Sequence, residues 1–252
     1  MKDNSVLIVG SIALDTIKIG DEKYENLIGG STTFATIAAG KNSDVHVVGI
    51  IGNDFPQAGH DIYSEYAANN TDLQVADGKT FSWGGRYHSN FDDRDTLFTE
   101  LGVFADFKPN LSPINKNHQH VFLANIHPSL QNSVINQCMA NPIIIIDTMN
   151  LWINTTLNEL LIVLSKSDIL LINESEAEML TECYLLDDAA KTLIGLGPPT
   201  VVIKRGSKGA DLYTANEKIS IGVYPITKVA DPTGAGDTFG GAFTSALAEG
   251  KS

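Results

Sequence analysis

Val229-Ala-Asp-Pro-Thr-Gly-Ala-Gly-Asp-Thr-Phe-Gly-Gly-Ala-Phe243 is the most informative segment of this 252-residue chain. Pro232 and the two nearby glycines predict a tight turn, and residues 238 to 249 predict a helix. Gly234, Ala235 and Gly236 would then direct backbone N–H groups toward the start of that helix, where the helix dipole also favours negative charge. The neighbouring Asp237 carboxylate can accept a proton from a hydroxyl group while these amides stabilise the charge of a phosphoryl group. The segment therefore predicts an anion hole with a general base beside it.

Two other phosphate-binding patterns do not fit this sequence. A P-loop requires a glycine five positions before Gly-Lys-Ser/Thr, but Ser245 precedes the Gly-Lys-Ser at 250–252 and Leu73 precedes the Gly-Lys-Thr at 78–80. Phe239 stands where a dinucleotide-binding fingerprint would need its third glycine. Neither a P-loop nucleotide hydrolase nor a Rossmann oxidoreductase is supported.

The charge balance limits the partners. Seventeen Lys and Arg against thirty Asp and Glu give a formal net charge of −13, so the surface as a whole would repel nucleic acid and anionic membranes. An anionic nucleotide can still bind where backbone amides and a divalent cation supply positive potential. We therefore expect small-molecule ligands, without nucleic-acid or membrane partners.

Cysteine usage and the N-terminal segment suggest the compartment. Cys138 and Cys183 lie far apart and form no Cys-x-x-Cys pattern, so neither a disulfide framework nor a zinc site is indicated. The chain enters a short apolar strand within its first ten residues, without the apolar region of a signal peptide. These features predict a cytoplasmic protein.

Strands and helices alternate along most of the chain. Strands are predicted at 6–9, 45–51, 120–126, 143–147, 168–173 and 200–204, and helices at 31–39, 57–68, 130–139, 156–165, 175–183 and 187–196. Ser31 or Thr32 is the predicted N-cap of the first helix. The alternation predicts a single α/β domain over 1–252, with a doubly wound, mainly parallel sheet flanked by helices. Segments of about 14–28 and 80–105, rich in β-branched and aromatic residues, predict a small β-strand lid inserted in this domain.

Polar residues follow the ends of the predicted strands. In an open α/β sheet, ligands collect outside the carboxyl ends of the strands. Position alone therefore makes candidates of six residues: Asn125, Asp147, Asn150, Asn173, Glu176 and Lys204.

Four segments together resemble one known family. Residues 231–243 are similar to the C-terminal signature of the ribokinase-like (PfkB-type) carbohydrate kinases, and residues 9–15 with Gly29-Gly30 resemble the family's N-terminal strand, substrate aspartate and Gly-Gly turn. Asn173-Glu-Ser-Glu176 resembles its Asn-x-x-Glu motif, and residues 203–210 resemble its nucleotide-side loop. Their order and spacing match, so the resemblance spans nearly the whole chain and implies a ribokinase-like fold.

The resemblance also implies roles for individual residues. On the substrate side it places Asp15, Gly29 and Gly30, to which we add Asp147 and Asn150 at a strand end. On the ATP side it places Asn173, Glu176, Lys204, Gly206 and Gly209, with Glu176 orienting water on Mg²⁺. Asp231 and Thr233 match positions that bind a monovalent cation such as K⁺ in some members. Family members usually continue for several helices beyond this chain, which ends eleven residues after Gly241.

The expected function is phosphoryl transfer from ATP to a hydroxymethyl group of a sugar or nucleoside. Ser31-Thr-Thr-Phe34 stands where ribokinases proper carry Lys and Asn for the sugar, and Phe34 and Trp83 favour an acceptor with a flat apolar part, so we rank a nucleoside above a free sugar. We expect the lid to set the choice of acceptor. A non-catalytic nucleotide or sugar sensor on the same fold is the alternative, and a homodimer that pairs through the lid is left open.

Overall fold

The computed structural model describes residues 4–87, 94–225, 229 and 231–251, and the elements below refer to these ranges. The strands are β1 (Val6–Val9), β2 (Ala13–Ile19), β3 (Glu22–Gly29), β4 (Val45–Gly52), β5 (Asn69–Ala76), β6 (Ser82–Tyr87), β7 (Arg94–Glu100), β8 (His120–Leu123), β9 (Ile143–Asp147), β10 (Ile169–Asn173), β11 (Thr200–Lys204), β12 (Ala210–Tyr213) and β13 (Lys218–Ile221). The helices are α1 (Ser31–Ala39), α2 (Gln57–Tyr66), α3 (Pro128–Ile135), α4 (Asn150–Thr155), α5 (Leu157–Leu164), α6 (Glu174–Thr181), α7 (Leu186–Gly195) and α8 (Ala235–Ala248).

Nine of these strands form the main sheet, in the order β13-β12-β11-β10-β9-β8-β1-β4-β5. The seven strands from β11 to β5 pair in parallel, and β12 and β13 add an antiparallel edge. The central strands are continuous apolar runs, such as Val-Leu-Ile-Val in β1, because helices cover both faces of a parallel sheet. The doubly wound α/β architecture expected from the sequence is confirmed.

The core lies on both faces of the sheet, as the alternation of side chains along β1 illustrates. Leu7 and Val9 pack in one apolar cluster with residues of α3, α5, α6 and α7, whereas Val6 and Ile8 pack in a second cluster with residues of α1, α2 and α8. Within the described part of the chain, no helix has the length and apolar character that a membrane crossing requires.

A second sheet of four strands, in the order β3-β2-β6-β7, contains the segments that the sequence assigned to the lid. The strands β2 and β6 pair in parallel, and β3 and β7 flank them in antiparallel pairing. Residues 88–93 of the predicted lid segment lie outside the described residues.

Two local predictions are wrong in an instructive way. The N-cap of α1 is Gly30, with φ 88°, and not Ser31 or Thr32 as predicted. The Ser31 hydroxyl does not cap the helix but accepts a hydrogen bond from the Ser11 amide at 3.1 Å. The helix α8 begins at Ala235, three residues before the predicted start at 238. As a result Asp237 belongs to the first turn of α8, where its carboxylate complements the helix dipole.

Candidate active site

The turn that leads into α8, residues 231–237, is called the α8 turn below. Gly234 adopts a left-handed conformation with φ 72°, and a Cβ atom at this position would overlap the ring of Phe34. The Asp231 carboxylate accepts a hydrogen bond from the Thr233 amide at 2.8 Å, which closes the turn from its N-terminal side. The turn therefore depends on a glycine and on a side-chain cap, both of which the sequence supplies.

The backbone amides of the α8 turn have different partners. The Ala235 amide donates to the Pro232 carbonyl at 3.1 Å. Among the described residues, the amides of Gly234 and Gly236 donate to no protein acceptor. Amides at a helix start that lack an internal acceptor are suited to an anion, so in this conformation Gly234 and Gly236 are the better-placed donors of the predicted anion hole.

Close packing fixes α8 against the rest of the domain. A Cβ atom at Gly240 would overlap the Phe122 ring of β8, and one at Gly241 would overlap the backbone of Ala35 in α1. The two glycines thus allow α8 to approach both neighbours, and this contact holds the α8 turn at the carboxyl edge of the sheet.

A central cavity of about 560 Å³ opens beside the α8 turn. Seven of the residues that the sequence indicated line it: Asp15, Gly30, Asn125, Asn150, Thr233, Gly234 and Asp237. Asp15 is 6% exposed. A Cβ atom at Gly29 would overlap the Asp15 carboxylate, so Gly29 makes room for that carboxylate without lining the cavity itself. Two carboxylates, Asp15 and Asp237, therefore face one space.

Aromatic rings form much of the cavity wall. Phe81 and Trp83 come from the lid, and Phe34 comes from α1. Trp152 of α4 also lines the cavity and donates from Nε1 to the Asn125 Oδ1 at 2.8 Å. The strand-end position indicated Asn125, but no sequence signal indicated Trp152, because the short helix α4 lacks a recognisable motif.

Lys204 and Asp147 form a buried ion pair behind the α8 turn. The Lys204 Nζ donates to Oδ1 and Oδ2 of Asp147 at 2.9 and 3.1 Å, and the two side chains are 17% and 6% exposed. Asp147, predicted on the substrate side, does not line the central cavity. Burial alone would lower the pKa of the Lys204 ammonium, but the charges of Asp147, Glu176 and Asp237 outweigh burial and raise it. Lys204 is therefore a cation at neutral pH.

Asn173 and Glu176 form a capping box at the start of α6. The Asn173 Oδ1 accepts from the Glu176 amide at 2.9 Å, and the Glu176 Oε2 accepts from the Asn173 amide at 3.1 Å. Burial raises the pKa of the Glu176 carboxyl to about 7, although the Lys204 charge opposes this shift. Both residues thus have a structural task, and Glu176 has in addition the perturbed pKa that is common at functional sites.

The loop between β11 and β12 requires its glycines for its own geometry. Gly206 and Gly209 have φ values of 53° and 98°, and a Cβ atom at Gly209 would overlap the Ile221 carbonyl of the neighbouring strand. Arg205 anchors the loop, donating to Glu174 at 3.1 Å and to Asp211 at 3.0 Å. These contacts hold the loop at the same sheet edge as Lys204.

The available donor groups limit how a metal ion could bind. Among the described residues, no group of three or more His, Cys, Asp or Glu side chains is arranged to hold a metal ion. Mg²⁺ commonly binds through one or two carboxylates together with substrate phosphates rather than in an all-protein cage, so Glu176 fits an ion that arrives with a nucleotide. The K⁺ site at Asp231 and Thr233 stays a prediction.

A helix start suited to an anion, with a carboxylate in its first turn, thus lies at the carboxyl edge of a doubly wound sheet, which is where ligands bind in such folds. The family model described as pfkB family carbohydrate kinase matches residues 3–252, and the chain belongs to this family. It is accordingly a kinase that transfers a phosphoryl group to a hydroxyl group of a sugar or nucleoside.

Known relatives include kinases of both acceptor classes. A cytidine kinase of Thermococcus kodakarensis is 28% identical over 98% of this chain and 89% of its own length. The structure of a Methanocaldococcus jannaschii nucleoside kinase covers 100% of this chain and 87% of its own, with a TM-score of 0.81 at 21% identity. That of Arabidopsis thaliana ribokinase with ribose and ATP covers 98% and 86%, with a TM-score of 0.79 at 26% identity.

Proposed function

We propose that this protein is a nucleoside kinase that transfers the γ-phosphoryl group of MgATP to the hydroxymethyl group of a nucleoside. The observation that carries this proposal is the central cavity, in which Asp15 and Asp237 share one space with an aromatic wall. The similarity to a cytidine kinase and to a nucleoside kinase supports the acceptor class, and the ribokinase structure with ATP supports the donor.

The composition of the cavity favours a nucleoside over a free sugar. Its volume of about 560 Å³ lies in the range of small-molecule sites. A pentose could donate hydrogen bonds to the carboxylates of Asp15 and Asp237. It offers no flat apolar surface to the aromatic rings of the cavity wall. A nucleobase offers such a surface, since aromatic rings pack well in stacked or edge-to-face arrangements.

In the proposed mechanism Asp237 accepts the proton of the acceptor hydroxymethyl group as its oxygen attacks phosphorus. The amides of Gly234 and Gly236 stabilise the charge of the transferring phosphoryl group, with Ala235 as the remaining member of the predicted anion hole. Asp15 holds the ribose hydroxyls by charge-assisted hydrogen bonds, and Gly30 and Asn150, which line the same cavity, remain its predicted companions.

On the nucleotide side, MgATP supplies the phosphoryl group, and Mg²⁺ neutralises phosphate charge when bound. The residues that would hold it are Asn173, Glu176, Lys204, Gly206 and Gly209. A monovalent cation such as K⁺ at Asp231 and Thr233 is a separate proposal, which a comparison of activity in KCl and in tetramethylammonium chloride tests. Pairing of two copies through the lid can be checked by sedimentation velocity.

The test is a panel of cytidine, uridine, adenosine, inosine, ribose and fructose with MgATP, read by ADP release and by identification of the phosphorylated product. We expect at least one nucleoside to be used with a kcat/KM about tenfold or more above that of either sugar, or roughly 1.4 kcal/mol. A clear preference for a free sugar would overturn the acceptor assignment. Binding of ATP and of an acceptor without any transfer would instead favour the sensor.

A further inference from the structure

A chain of hydrogen bonds runs from α2 through α1 to the Gly29-Gly30 turn. The Thr33 hydroxyl of α1 donates to the Gly29 carbonyl at 2.6 Å, and it lies 2.8 Å from the Tyr63 hydroxyl of α2. Because a threonine hydroxyl has a single proton, and this one is donated to the carbonyl, Tyr63 is the donor in the second contact. The hydrogen bonds therefore run from Tyr63 to Thr33 and from Thr33 to Gly29.

Both hydroxyl groups of this chain lie in the protein interior. Tyr63 and Thr33 are each 1% exposed. Burial raises the pKa of the Tyr63 phenol well above its ordinary value, so the phenol keeps its proton and remains a donor. Phenylalanine and valine would fill nearly the same two spaces without polar groups that need partners. Packing alone therefore does not account for the two hydroxyls.

The far end of the chain lies against the candidate acceptor site. The Gly29 backbone is so close to the Asp15 carboxylate that a Cβ atom on Gly29 would overlap it. The next residue, Gly30, lines the central cavity together with Asp15, and its carbonyl accepts from the Thr33 amide at 3.1 Å. Thr33 thus holds both carbonyls of the turn, one with its side chain and one with its backbone.

A second buried threonine in α1 provides a contrast. A threonine in a helix can bond the carbonyl four residues earlier, as Thr33 does with Gly29. Thr36 is 0% exposed, but its hydroxyl has no hydrogen-bond partner among the described residues. The bond from Thr33 to Gly29 is therefore not a general consequence of placing threonine in this helix.

We propose that Thr33, itself oriented by Tyr63, is a positioning residue for the acceptor. It holds the Gly29-Gly30 turn in the place that leaves the Asp15 carboxylate free to face the central cavity. Neither Thr33 nor Tyr63 lines that cavity, so both act through the turn. The proposal rests on the proposed function, in which Asp15 binds the acceptor, and it concerns binding of the acceptor rather than of the nucleotide.

Steady-state kinetics with the best acceptor of the panel test this role. Thr33→Val keeps the shape of the side chain but removes the donor to Gly29. We expect the KM for the acceptor to rise about tenfold, with kcat and the KM for ATP changed less than about twofold, because Asp15 then grips the acceptor less well. Thr33→Ser keeps the hydroxyl and should stay within about threefold of the unmutated KM. Thr36→Val is the matched control and should leave the KM unchanged.

A double variant separates positioning from a general loss of stability. Thr33→Val leaves the buried Tyr63 hydroxyl without its acceptor, which destabilises the fold. Thr33→Val/Tyr63→Phe removes that hydroxyl as well, so it should have a higher Tm than Thr33→Val while the KM for the acceptor stays raised. The double variant also carries the KM measurement if Thr33→Val does not fold. A KM that returns to normal together with the Tm would refute positioning.

Hydrogen–deuterium exchange, read by mass spectrometry without any acceptor, distinguishes this proposal from the proposed function. We expect exchange in residues 24–34 to become about tenfold faster in the double variant but not in Thr36→Val, because the turn opens more often. Unchanged exchange in the double variant overturns the role of Thr33, whatever acceptor the protein uses. If exchange accelerates but no nucleoside or sugar is phosphorylated, the proposed function fails, and the hold of Thr33 on the turn stands.

Discussion

The central cavity and the region behind the α8 turn, which contains Asp147, Glu176 and Lys204, lie at the same sheet edge but are built differently. The cavity is lined by side chains from distant segments, including Trp83 of the lid and Trp152 of α4. The region behind the turn consists of backbone amides and of charges held in fixed pairs, such as the Lys204–Asp147 ion pair. Walls built from the side chains of several segments suit the choice of an acceptor, whereas fixed charges suit chemistry that is the same for every acceptor.

The largest expected effect belongs to the α8 turn. Asp237→Asn preserves the size of the side chain but removes the base, so kcat should fall by about 10² or more while the affinities for both ligands survive. Steady-state kinetics with the best acceptor, together with calorimetric titration, check this. A near-normal kcat in this variant would show that Asp237 is not the base.

The next largest effect should be on the KM for the acceptor and should come from Asp15 in the central cavity. Asp15→Ala removes charge-assisted hydrogen bonds to the acceptor hydroxyls, each worth about 1.5 to 3 kcal/mol, so the KM for the acceptor should rise roughly 10- to 100-fold with ATP affinity unchanged. Asp21→Ala, at an exposed aspartate between β2 and β3, is the control. An unchanged acceptor KM in Asp15→Ala would remove this residue from the site.

A smaller effect, on stability rather than on activity, should come from the Glu176 carboxyl behind the α8 turn. The folded protein keeps the proton on Glu176 up to a pKa of about 7, above the ordinary value of 4.5, so the free energy of unfolding should fall as pH rises across that interval. Glu176→Gln keeps the capping box but cannot ionise, so at pH 8 it should be more stable than the unmutated protein by about 1 to 3 kcal/mol, and at pH 4 it should show no such gain.

Urea unfolding at both pH values measures this difference. Glu178→Gln, on an exposed face of the same helix, should not show it. A pH profile of Glu176→Gln that parallels that of the unmutated protein would mean that burial does not perturb this carboxyl. If the carboxylate orients water on Mg²⁺, the stabilised variant should also need more Mg²⁺ for half-maximal activity.

The smallest effect concerns acceptor choice. Trp83→Ala removes one ring from the cavity wall, and we expect it to change kcat/KM for a nucleoside and for a free sugar unequally, by about tenfold or roughly 1.4 kcal/mol. Tyr184→Ala removes an exposed ring that does not line the cavity and should leave the ratio unchanged. Equal losses for both acceptors in Trp83→Ala would argue against a selective lid.

These two regions also differ in how far the sequence could predict them. The α8 turn was recognisable because its glycines, proline and aspartate are contiguous. The cavity was only partly predictable, since Trp152 of α4 and Asn125 in the segment after β8 meet through a tertiary contact that leaves no local sequence pattern. The pairing of Asp147 with Lys204 likewise depends on strand order rather than on sequence spacing.

The strands of the main sheet also differ in how far the sequence could predict them. The apolar central strands were predicted close to their observed bounds because burial on both faces demands continuous branched residues. The edge strands β5 and β13 were missed, as was β12 next to β13. The strand β5 is largely polar and β13 is exposed throughout, so neither edge strand carries the buried-strand signal.

In the proposed division of tasks, the α8 turn performs the transfer and the central cavity selects the acceptor. The most direct test is the ratio of kcat/KM for the best nucleoside to that for ribose, measured in the unmutated protein, in Asp237→Asn and in Trp83→Ala. We predict that Asp237→Asn lowers both values about equally and keeps the ratio, whereas Trp83→Ala shifts the ratio by about tenfold. A ratio that shifts in Asp237→Asn but stays constant in Trp83→Ala would contradict this division of tasks.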